Sequence, residues 1–446
     1  MARIHIFHTN DIHSHFEHWP RMTAYVNTQR QLFAQKDEAS FLIDIGDFID
    51  RSNLFAEATM GKGCIQLLNE ANYDVVTIGN NEGITLAYED LFHLYDEAAF
   101  DVVVGNLTSL HTPNPVWLKE TTTLVTKDGV KIGVIAATAP YELFYEQLGW
   151  DVVEPRQQLI KQAGKLKEDG VDIVICLSHL GITEDELLAQ ETTDIDVIFG
   201  AHTHHYFANG QRVNETLLTG GGKFGQYIGQ LVIDYDIEHR TVIKVTDTMH
   251  EINDFPPVQE EYEFTHDLYK KAEKILSEPL YQLHKTYTKE WFHYSPLANL
   301  FADKILAYTN ADMAMFNAGI FMADLKKGYV TAKHLHEILP HPINLCVVTL
   351  KGSEIKEIYR QAQNDEWPNK QLKGLGFRGV VVGKMLTYGF SMNEQNELYI
   401  KGELADLTKT YRLVTLDMFT FGFFFPSFKY LNKQYYLPEF IRDLLK

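Results

Sequence analysis

The chain has 446 residues, of which 45% are hydrophobic and 22% charged, and a formal net charge of −20. This is the composition of a globular protein rather than a disordered or fibrous one, and the length predicts two domains rather than one. Because the net charge would repel a polyanionic backbone, we expect no polymeric nucleic acid as a partner.

The cysteines and the first residues narrow the class of protein further. Cys64, Cys176 and Cys346 are far apart in the sequence, which argues against a disulfide framework and against a thiolate zinc site. The opening MARIHIFHTNDIHSH has no apolar stretch behind a basic start, and no segment reaches membrane-spanning length. We therefore expect a cytoplasmic protein without a membrane partner, in which any metal is bound by nitrogen and oxygen atoms.

Short β-branched runs alternate with helix-like stretches up to about residue 250. The runs that predict buried strands are IHIFHTN, SFLIDIGD, YDVVTIGN, FDVVVGN, KIGVIAAT, VDIVICLSH and IDVIFGAHTH. Strands alternating with helices predict an α/β fold. Most of these runs stop in Asp, His or Asn, so we expect these polar side chains along one edge of a sheet.

A second unit follows the break at Phe255-Pro256-Pro257. The segment EEYEFTHDLYKKAEKIL is rich in helix formers and predicts a linker helix. Beyond about residue 285, helices such as SPLANLFADKILAYT mix with strands such as NLCVVTL and GVVVGKMLTY. We therefore predict a first domain over residues 1–255, a linker helix over 256–284 and a second α/β domain over 285–446.

Several strand ends carry residues that bind metals. They are Asp11-Ile12-His13, Gly46-Asp47, Gly79-Asn80-Asn81-Glu82, Ser178-His179 and Gly200-Ala201-His202-Thr203-His204. A lone Asp-x-His pair is usually a surface turn, but repeated endings of this kind indicate one shared site. Carboxylate, imidazole and amide oxygen suit Mn²⁺, Zn²⁺, Fe²⁺ or Co²⁺. A carboxylate can bridge two such ions about 3.5–4 Å apart, an arrangement typical of phosphate ester hydrolysis.

At these residues the sequence resembles the calcineurin-like metallophosphoesterases, and specifically their two-domain 5′-nucleotidase branch. The motifs that carry the resemblance are TNDIHSH, GDFID, GNNEG, SHLG and GAHTH in the first half, and FNAGIF, LPHPINLCVVTLKGSEIKEI and TYRLVTLD in the second. The resemblance implies an amino-terminal β-sandwich flanked by helices and a carboxy-terminal α/β nucleotidase-type domain that binds substrate.

The resemblance also implies how two divalent ions would be bound. One ion would take Asp11, His13, Asp47 and His204, and the other would take Asp47, Asn80, His179 and His202. Asp47 would then bridge the ions, and a hydroxide activated by them would attack phosphorus.

Near the predicted metals the chain departs from the family pattern at one position. The family usually has a His after the ligand Asn, whereas this chain has Asn81. An amide cannot act as a general acid, but it can donate a hydrogen bond to a phosphoryl oxygen. His15 and Arg51 are the nearest further candidates for catalytic residues, His15 as a source of the proton and Arg51 facing phosphate.

The second domain departs further. Phe321 follows Ile320 where the family has an Arg, and His341 stands where an aromatic ring stacks on the base. Arg378 is a candidate for the missing cation, and the aromatic run FTFGFFFPSF could contact a base or belong to the core. The residues predicted to bind substrate are Asn317, His341, Arg378, Phe419 and Phe423.

Three functions are consistent with this pattern. The first is a metal-dependent hydrolase of a nucleoside 5′-phosphate or a similar small phosphate ester. The second keeps the metals but cleaves a diester, such as a 2′,3′-cyclic nucleotide or a dinucleotide. The third, from another class, is a catalytically inactive nucleotide sensor. The sequence leaves the oligomeric state open.

Overall fold

The computed structural model of the protein describes residues 1–111 and 113–446, and these form two compact units, Met1–Ala272 and Glu273–Lys446. The division falls inside the helix Glu261–Leu276, within the segment predicted as the linker. The domain boundaries given above stay a prediction.

The first unit consists of strands and helices that are numbered here in chain order. Its strands are β1 Ala2–Thr9, β2 Ala39–Asp44, β3 Val75–Val76, β4 Asp101–Val103, β5 Leu107–Ser109, β6 Leu118–Lys119, β7 Thr121–Val125, β8 Lys131–Thr138, β9 Trp150–Val152, β10 Ile173–His179, β11 Val197–Gly200, β12 Gln211–Val213, β13 Thr216–Thr219, β14 Tyr227–Asp236 and β15 Thr241–Glu251. Its helices are α1 Trp19–Gln35, α2 Leu54–Ala58, α3 Lys62–Glu70, α4 Asn80–Thr85, α5 Tyr88–Phe92, α6 Glu142–Gln147, α7 Pro155–Glu168, α8 Ile182–Glu191 and α9 Glu261–Leu276, the last of which continues into the second unit.

Two sheets form a β-sandwich, as the resemblance implies. In one sheet the strand order is β15-β14-β1-β2-β3-β4-β6, and in the other it is β12-β13-β11-β10-β8-β7. The core between the sheets contains β-branched residues of both, such as Ile4 and Val75 from the first and Val134 and Ile175 from the second. Each of these strands is a continuous apolar run in the sequence, because both of its faces are buried and polar residues do not alternate with apolar ones.

Helices cover the outer face of the second sheet. Leu159 and Ala163 of α7 and Leu188 of α8 pack against Val174 and Ile198 of β10 and β11 in a second buried cluster. Because the strands are sandwiched between another sheet and these helices, their polar ends provide the natural place for a site.

The second unit is a mixed α/β structure, as expected. Its strands are β16 Pro279–Leu283, β17 Met313–Asn317, β18 Gly328–Thr331, β19 Asn344–Lys351, β20 Met385–Tyr388, β21 Phe390–Met392, β22 Leu398–Ile400, β23 Glu403–Leu404, β24 Thr410–Leu416 and β25 Lys433–Phe440. Its helices are α10 Pro296–Thr309, α11 Ala332–Ile338 and α12 Gly352–Ala362. The main sheet has the order β20-β17-β24-β19-β25. Helix α10 begins where the sequence predicts it, because the Ser295 hydroxyl accepts the Ala298 N–H and Pro296 occupies the first turn.

The run GVVVGKMLTY is only partly a strand, and here the sequence prediction is wrong. The strand β20 begins at Met385, whereas the Val382 carbonyl accepts the Gly319 N–H at 2.9 Å and the Val382 N–H donates to the Lys370 carbonyl at 2.9 Å. An apolar, β-branched run shows that a segment is buried, but it does not show which backbone groups pair with it.

Asp417 is a buried carboxyl in this unit, and its titration predicts a pH dependence of stability. The carboxyl accepts the Asn344 N–H at 3.0 Å, and burial raises its pKa to about 7. The folded state therefore retains a proton that the unfolded state loses near pH 4, so stability is full at low pH and falls as pH rises toward 7. This group alone is expected to remove on the order of 2–4 kcal/mol across that range.

Asp417→Asn removes the titration and tests this expectation. In urea denaturation the midpoint of the variant should exceed the wild-type midpoint by more at pH 8 than at pH 5, because wild type loses stability over this range and the variant does not. If the difference between the two proteins is the same at both pH values, Asp417 ionises normally in the fold.

Among the described residues, no helix is both long enough and apolar enough to cross a membrane.

Candidate metal centre

Parallel neighbouring strands bring the predicted ligands to one place in the first unit. Strands β1, β2 and β3 are adjacent and parallel, as are β10 and β11, so the loops that leave their carboxyl ends lie side by side. The first two loops are bonded directly, because the Asp11 N–H donates to the Gly46 carbonyl at 3.0 Å and the His13 N–H to the Asp47 carbonyl at 2.8 Å.

The backbone at the centre has an uncommon conformation. The residues with a left-handed φ include Asp11 at 50°, His13 at 48°, Asp47 at 51°, His202 at 70° and His204 at 55°. Non-glycine residues adopt this region only when the surroundings impose it, at a cost of about 1–3 kcal/mol each. The clustering of strained residues at predicted ligands is typical of a functional site.

Two groups of side chains have the spacing of metal ligands. In each group one ligand atom from every residue lies within 4.8 Å of the others; the groups are Asp11, His13 and His204, and Asp11, Asp47 and His179. The Asp11 Oδ1 atom is 3.4 Å from His204 Nε2 and 3.7 Å from His13 Nε2. Asp47 Oδ1 is 3.4 Å from His179 Nε2, and Asp47 Oδ2 is 3.7 Å from His13 Nε2. Both carboxylates therefore face both halves of the cluster, and Asp47 as the bridge stays a prediction.

The tautomer of His179 is fixed by the backbone. Its Nδ1 lies 2.7 Å from the Ile45 carbonyl oxygen, which can only accept, so Nδ1 carries the hydrogen. The Nε2 lone pair then points toward Asp47, the arrangement in which a histidine binds a metal while its other nitrogen is held by a second group.

Unpartnered polar atoms test whether the cluster fits metal ions. Asp11 Oδ1, Asn80 Oδ1 and His179 Nε2 are buried and have no hydrogen-bond partner among the described residues. Buried polar atoms are nearly always satisfied, and these three belong to predicted ligands. The donor set of carboxylate, imidazole and amide oxygen therefore fits divalent cations.

His202 and Asn80, the other two predicted ligands, lie at the same centre. The His202 ring is 5.3 Å from the His179 ring, and the His202 N–H donates to Asp11 Oδ2 at 3.1 Å. Burial, together with the nearby His179, lowers the pKa of His202 to about 4, so its imidazole is neutral as a ligand must be. Asn80 begins helix α4 and donates through its Nδ2 to Asn81 Oδ1 at 3.3 Å, which leaves its own Oδ1 free.

The electrostatics favour positive charge at the centre. Burial by itself raises the pKa of Asp47, but His179, His13 and the Asn81 N–H hold that pKa below its usual range. Burial likewise lowers the pKa of His179, but the negative charge of the nearby Asp47 carboxylate raises it to about 10. Carboxylates that hold a proton on a buried imidazole would hold a metal cation at the same place.

Glu82 is a residue of the site to which sequence reasoning assigned no role. Its carboxylate is buried and accepts the backbone N–H groups of Asp47 at 3.0 Å, Ile49 at 2.8 Å and Gly79 at 2.8 Å. It thereby ties the loop that carries Asp47 to the loop that carries Asn80. The motif GNNEG contains this glutamate. Its position beside predicted ligands does not show whether its carboxylate binds backbone N–H groups or a metal.

We expect Glu82→Gln to loosen these two loops. A glutamine has one acceptor oxygen in place of two, so at least one buried N–H loses its partner, at about 1–3 kcal/mol. Urea denaturation should show this loss, and Mn²⁺ titration followed by calorimetry should show weaker binding. Glu70→Gln, at an exposed position of α3, is the matched control. Equal Mn²⁺ affinity in the two variants would contradict the role given to Glu82.

The predicted catalytic residues are less available to substrate than the sequence suggests. Asn81 Nδ2 is 2.9 Å from His13 Nδ1, and its Oδ1 accepts from Asn80, so both ends of the amide contact predicted ligands. Arg51 is buried, pairs with Glu57 at 2.9 Å and donates to the Thr85 carbonyl. These contacts hold Arg51 within the fold, and its place facing phosphate stays a prediction.

His15 lies at the rim of the centre. Its ring packs on Phe224 with 4.0 Å between centroids, and its Nδ1 is 3.7 Å from the Glu17 carboxylate. Phe224 also contacts the His13 ring at 5.8 Å and the His204 ring at 6.5 Å. Phe224, which sequence reasoning missed, is thus an aromatic wall beside two predicted ligands.

The loop that carries Phe224 is fixed by Asn10 and Asp11. Asn10 donates through Nδ2 to the Gly222 carbonyl at 2.9 Å and accepts the Gly221 N–H at 3.1 Å. The Phe224 N–H donates to the Asp11 carbonyl at 2.8 Å. The amide of Asn10 also donates to Asp11 Oδ2 at 2.7 Å, so one side chain orients a predicted ligand and the wall beside it.

In the second unit, His341 and Phe419 belong to the core. His341 is fully buried, and its Nε2 donates to the Ile320 carbonyl at 2.7 Å while its Nδ1 accepts the Arg378 N–H at 2.9 Å. Its ring stacks on Phe377. Phe419 is fully buried against Phe424 and Phe425. No face of either ring is exposed, and the role of these two residues in binding substrate stays a prediction.

The other predicted substrate residues have different surroundings. Asn317 is buried and donates to the Val382 carbonyl at 2.7 Å, but its Oδ1 has no hydrogen-bond partner among the described residues. Arg378 is partly buried and donates to the Phe377 carbonyl at 3.3 Å. Phe423 is 56% exposed, with the Lys370 Nζ 4.5 Å above its ring. Among the aromatic residues predicted to bind substrate, Phe423 is therefore the one whose ring is exposed.

Comparison with known proteins identifies the type of both units. The model for calcineurin-like phosphoesterases matches residues 4–206, and that for the 5′-nucleotidase C-terminal domain matches residues 277–423. The chain is 36% identical to the Bacillus subtilis (strain 168) uncharacterized metallophosphoesterase YunD, over 99% of this chain and 98% of that protein. It is 24% identical to a human 5′-nucleotidase over 80% of this chain and 71% of that one. A 5′-nucleotidase precursor from Thermus thermophilus shares the fold, with a TM-score of 0.62, 20% identity and coverage of 99% of this chain and 96% of that one.

Proposed function

We propose that this chain removes phosphate from a nucleoside 5′-phosphate. The premise is that the chain belongs to the 5′-nucleotidase family of calcineurin-like metallophosphoesterases. The family consists of metal-dependent hydrolases of phosphate esters, and this chain is one of them. The nucleoside, the number of metal ions and their identity are the parts that we propose.

The observation that carries the proposal is the cluster of unpartnered buried ligand atoms, Asp11 Oδ1, Asn80 Oδ1 and His179 Nε2. We assign two divalent cations to it, Mn²⁺, Zn²⁺, Fe²⁺ or Co²⁺, bound by Asp11, His13, Asp47, Asn80, His179, His202 and His204. When bound, such a pair supplies an activated water and positive charge for the phosphoryl oxygens.

The residues of the chain prepare this chemistry. The Ile45 carbonyl holds His179 in the tautomer that offers Nε2, and Asn10 orients Asp11 through its Oδ2 atom. Asn81 contacts the Nδ1 of His13, so we assign it a role in positioning that imidazole rather than the predicted hydrogen bond to a phosphoryl oxygen. Ligands that are already oriented need little reorganisation when charge develops on the phosphoryl oxygens.

The nucleotide part of the proposal is supported by the second unit. Its match to the 5′-nucleotidase C-terminal domain and the exposed ring of Phe423 suit a flat, apolar group such as a base. The net charge of −20 would repel a polymeric nucleic acid more strongly than a small anion whose charge the metals offset. We also propose that the protein acts in the cytoplasm.

Phosphate release from a panel of nucleoside 5′-phosphates, measured by chromatography with Mn²⁺-loaded protein, tests the proposal. We expect release that is lost on chelation and restored by Mn²⁺. Sugar phosphates serve as the comparison for the nucleoside part. Turnover of sugar phosphates but not nucleotides would overturn the substrate assignment, and inactivity of metal-loaded protein toward all esters would favour a nucleotide sensor.

A diester is the second candidate substrate, and the observation that favours it is the engaged amide of Asn81. Hydrolysis of a 2′,3′-cyclic nucleotide or a dinucleotide depends less on an acid when the leaving group is good. Turnover of bis-4-nitrophenyl phosphate and 4-nitrophenyl phosphate by the same preparation separates the two. A preference for the diester would support this candidate.

A further inference from the structure

The centre needs a hydrogen-bond donor for the phosphoryl group, and the predicted donors are engaged elsewhere. The Asn81 amide contacts His13 and Asn80, and Arg51 pairs with Glu57. His15 packs on the outer aromatic wall. A further side chain directed at the ligands would add a donor that these residues do not fully provide.

Tyr141 is such a side chain. It follows β8 and precedes α6, and its hydroxyl lies 3.5 Å from His202 Nε2, at the limit of hydrogen bonding. Its ring meets the His202 ring edge to face at 6.1 Å and the Phe144 ring at 6.3 Å.

The backbone holds Tyr141 in this place. Its carbonyl accepts the N–H groups of Phe144 at 2.9 Å and Tyr145 at 3.0 Å, which begins helix α6, and its own N–H donates to the Ala139 carbonyl at 3.0 Å. A phenol ring with a fixed backbone and two aromatic neighbours loses little further freedom when a ligand binds.

Among the described residues the hydroxyl of Tyr141 lacks a strong acceptor. The acceptor that the described residues offer it is the Nε2 of His202, a predicted metal ligand, at the long distance of 3.5 Å. A negatively charged phosphoryl oxygen of a bound substrate would offer this O–H a stronger acceptor at the same place.

We propose that Tyr141 is a catalytic residue whose O–H donates a hydrogen bond to a non-bridging oxygen of the bound phosphoryl group. The bond strengthens as negative charge grows on that oxygen, and the phenol keeps its proton throughout. This inference rests on the proposed phosphoesterase function and names one of its substrate contacts. Donors of this kind contribute roughly 10²–10³-fold to turnover when fully enclosed, and a partly exposed one is expected to contribute about 10–100-fold.

Tyr141→Phe tests the proposal with the ring retained. We expect kcat for a phosphate monoester to fall about 10–100-fold and the Kd of orthovanadate, measured by calorimetry on Mn²⁺-loaded protein, to rise about tenfold. Mn²⁺ content by elemental analysis should equal that of wild type. The matched control is Tyr145→Phe. Tyr145 lies in helix α6, which follows Tyr141, and its phenol hydroxyl is directed at Thr138. That variant should keep wild-type orthovanadate affinity.

The outcomes separate this inference from the function beneath it. If wild type releases phosphate and Tyr141→Phe matches it in kcat and orthovanadate affinity, the role of Tyr141 is wrong and the phosphoesterase stands. If wild type releases none, the proposed function fails, and orthovanadate binding still reports on Tyr141. A fall in Mn²⁺ content in Tyr141→Phe would overturn the proposal, since the hydroxyl would then be holding His202 rather than substrate.

Discussion

Replacing Asp47 by Asn is expected to lower phosphate release by at least about 10³-fold and to lower the Mn²⁺ content of the purified protein. The Asp47 carboxylate is 3.4 Å from His179 and 3.7 Å from His13, so it faces both halves of the cluster. An amide removes the negative charge that would attract the proposed cations and places an N–H₂ group where a predicted ligand oxygen lay. Elemental analysis and phosphate release from the same sample measure both effects.

Asp44→Asn is the matched control for this substitution. Asp44 is a buried carboxyl at the end of β2, the strand that precedes Asp47. Its oxygens accept the Thr9 hydroxyl at 2.6 Å and the Gly46 N–H at 2.9 Å. Burial raises the pKa of this carboxyl well above its usual value, which favours the protonated form, and an amide resembles that form. Asp44→Asn should therefore retain Mn²⁺ and activity. If Asp47→Asn retained Mn²⁺ equally well, the ligand assignment of Asp47 would be wrong.

Gly79→Ala is expected to abolish the centre by sterics alone. Gly79 precedes Asn80, and a methyl group built on its Cα would overlap the Asp47 carboxylate and the His179 ring. Since φ at Gly79 is −97°, the backbone itself accepts alanine and the clash is the whole effect. Two predicted ligands would have to move, so we expect phosphate release to fall at least about 10²-fold and Mn²⁺ binding to weaken.

Gly164→Ala provides the comparison at a glycine with room for a methyl group. Gly164 lies within helix α7, and the nearest atom to an added Cβ is a carboxylate oxygen of Asp194 at 3.6 Å. Alanine in a helix interior is favoured by about 0.5–1 kcal/mol over glycine, so this variant should be slightly more stable and fully active. Wild-type activity in Gly79→Ala would show that the two ligands can shift without loss.

The strand ends of the first unit show what local pattern can predict. The β-branched runs that end in Asp11, Asp47 and His179 became β1, β2 and β10, and their loops met as expected. The prediction works because burial on both faces forces an apolar run, and the edge where such strands end is where polar side chains can lie.

Other residues show what local pattern does not reveal. His341, Phe419 and Arg51 have the chemistry of substrate contacts, but each is buried with partners from distant segments. Whether a ring or cation is exposed depends on what covers it, and the covering residues are far away in sequence. For the same reason Glu82, a neighbour of the ligands in sequence, was given no role, although its carboxylate binds three backbone groups.

The sequence by itself determined the two-domain α/β organisation and the family, and that family resemblance implied the β-sandwich of the first unit. These follow from motifs and periodicities whose meaning is local, because a run of apolar residues and the side chain that ends it lie within one strand. Only the tertiary structure decided that Asp11 faces both halves of the cluster, that Asn81 contacts His13 and that Tyr141 points at His202. These contacts join loops that are far apart in the chain, and their distances depend on how the strands pack.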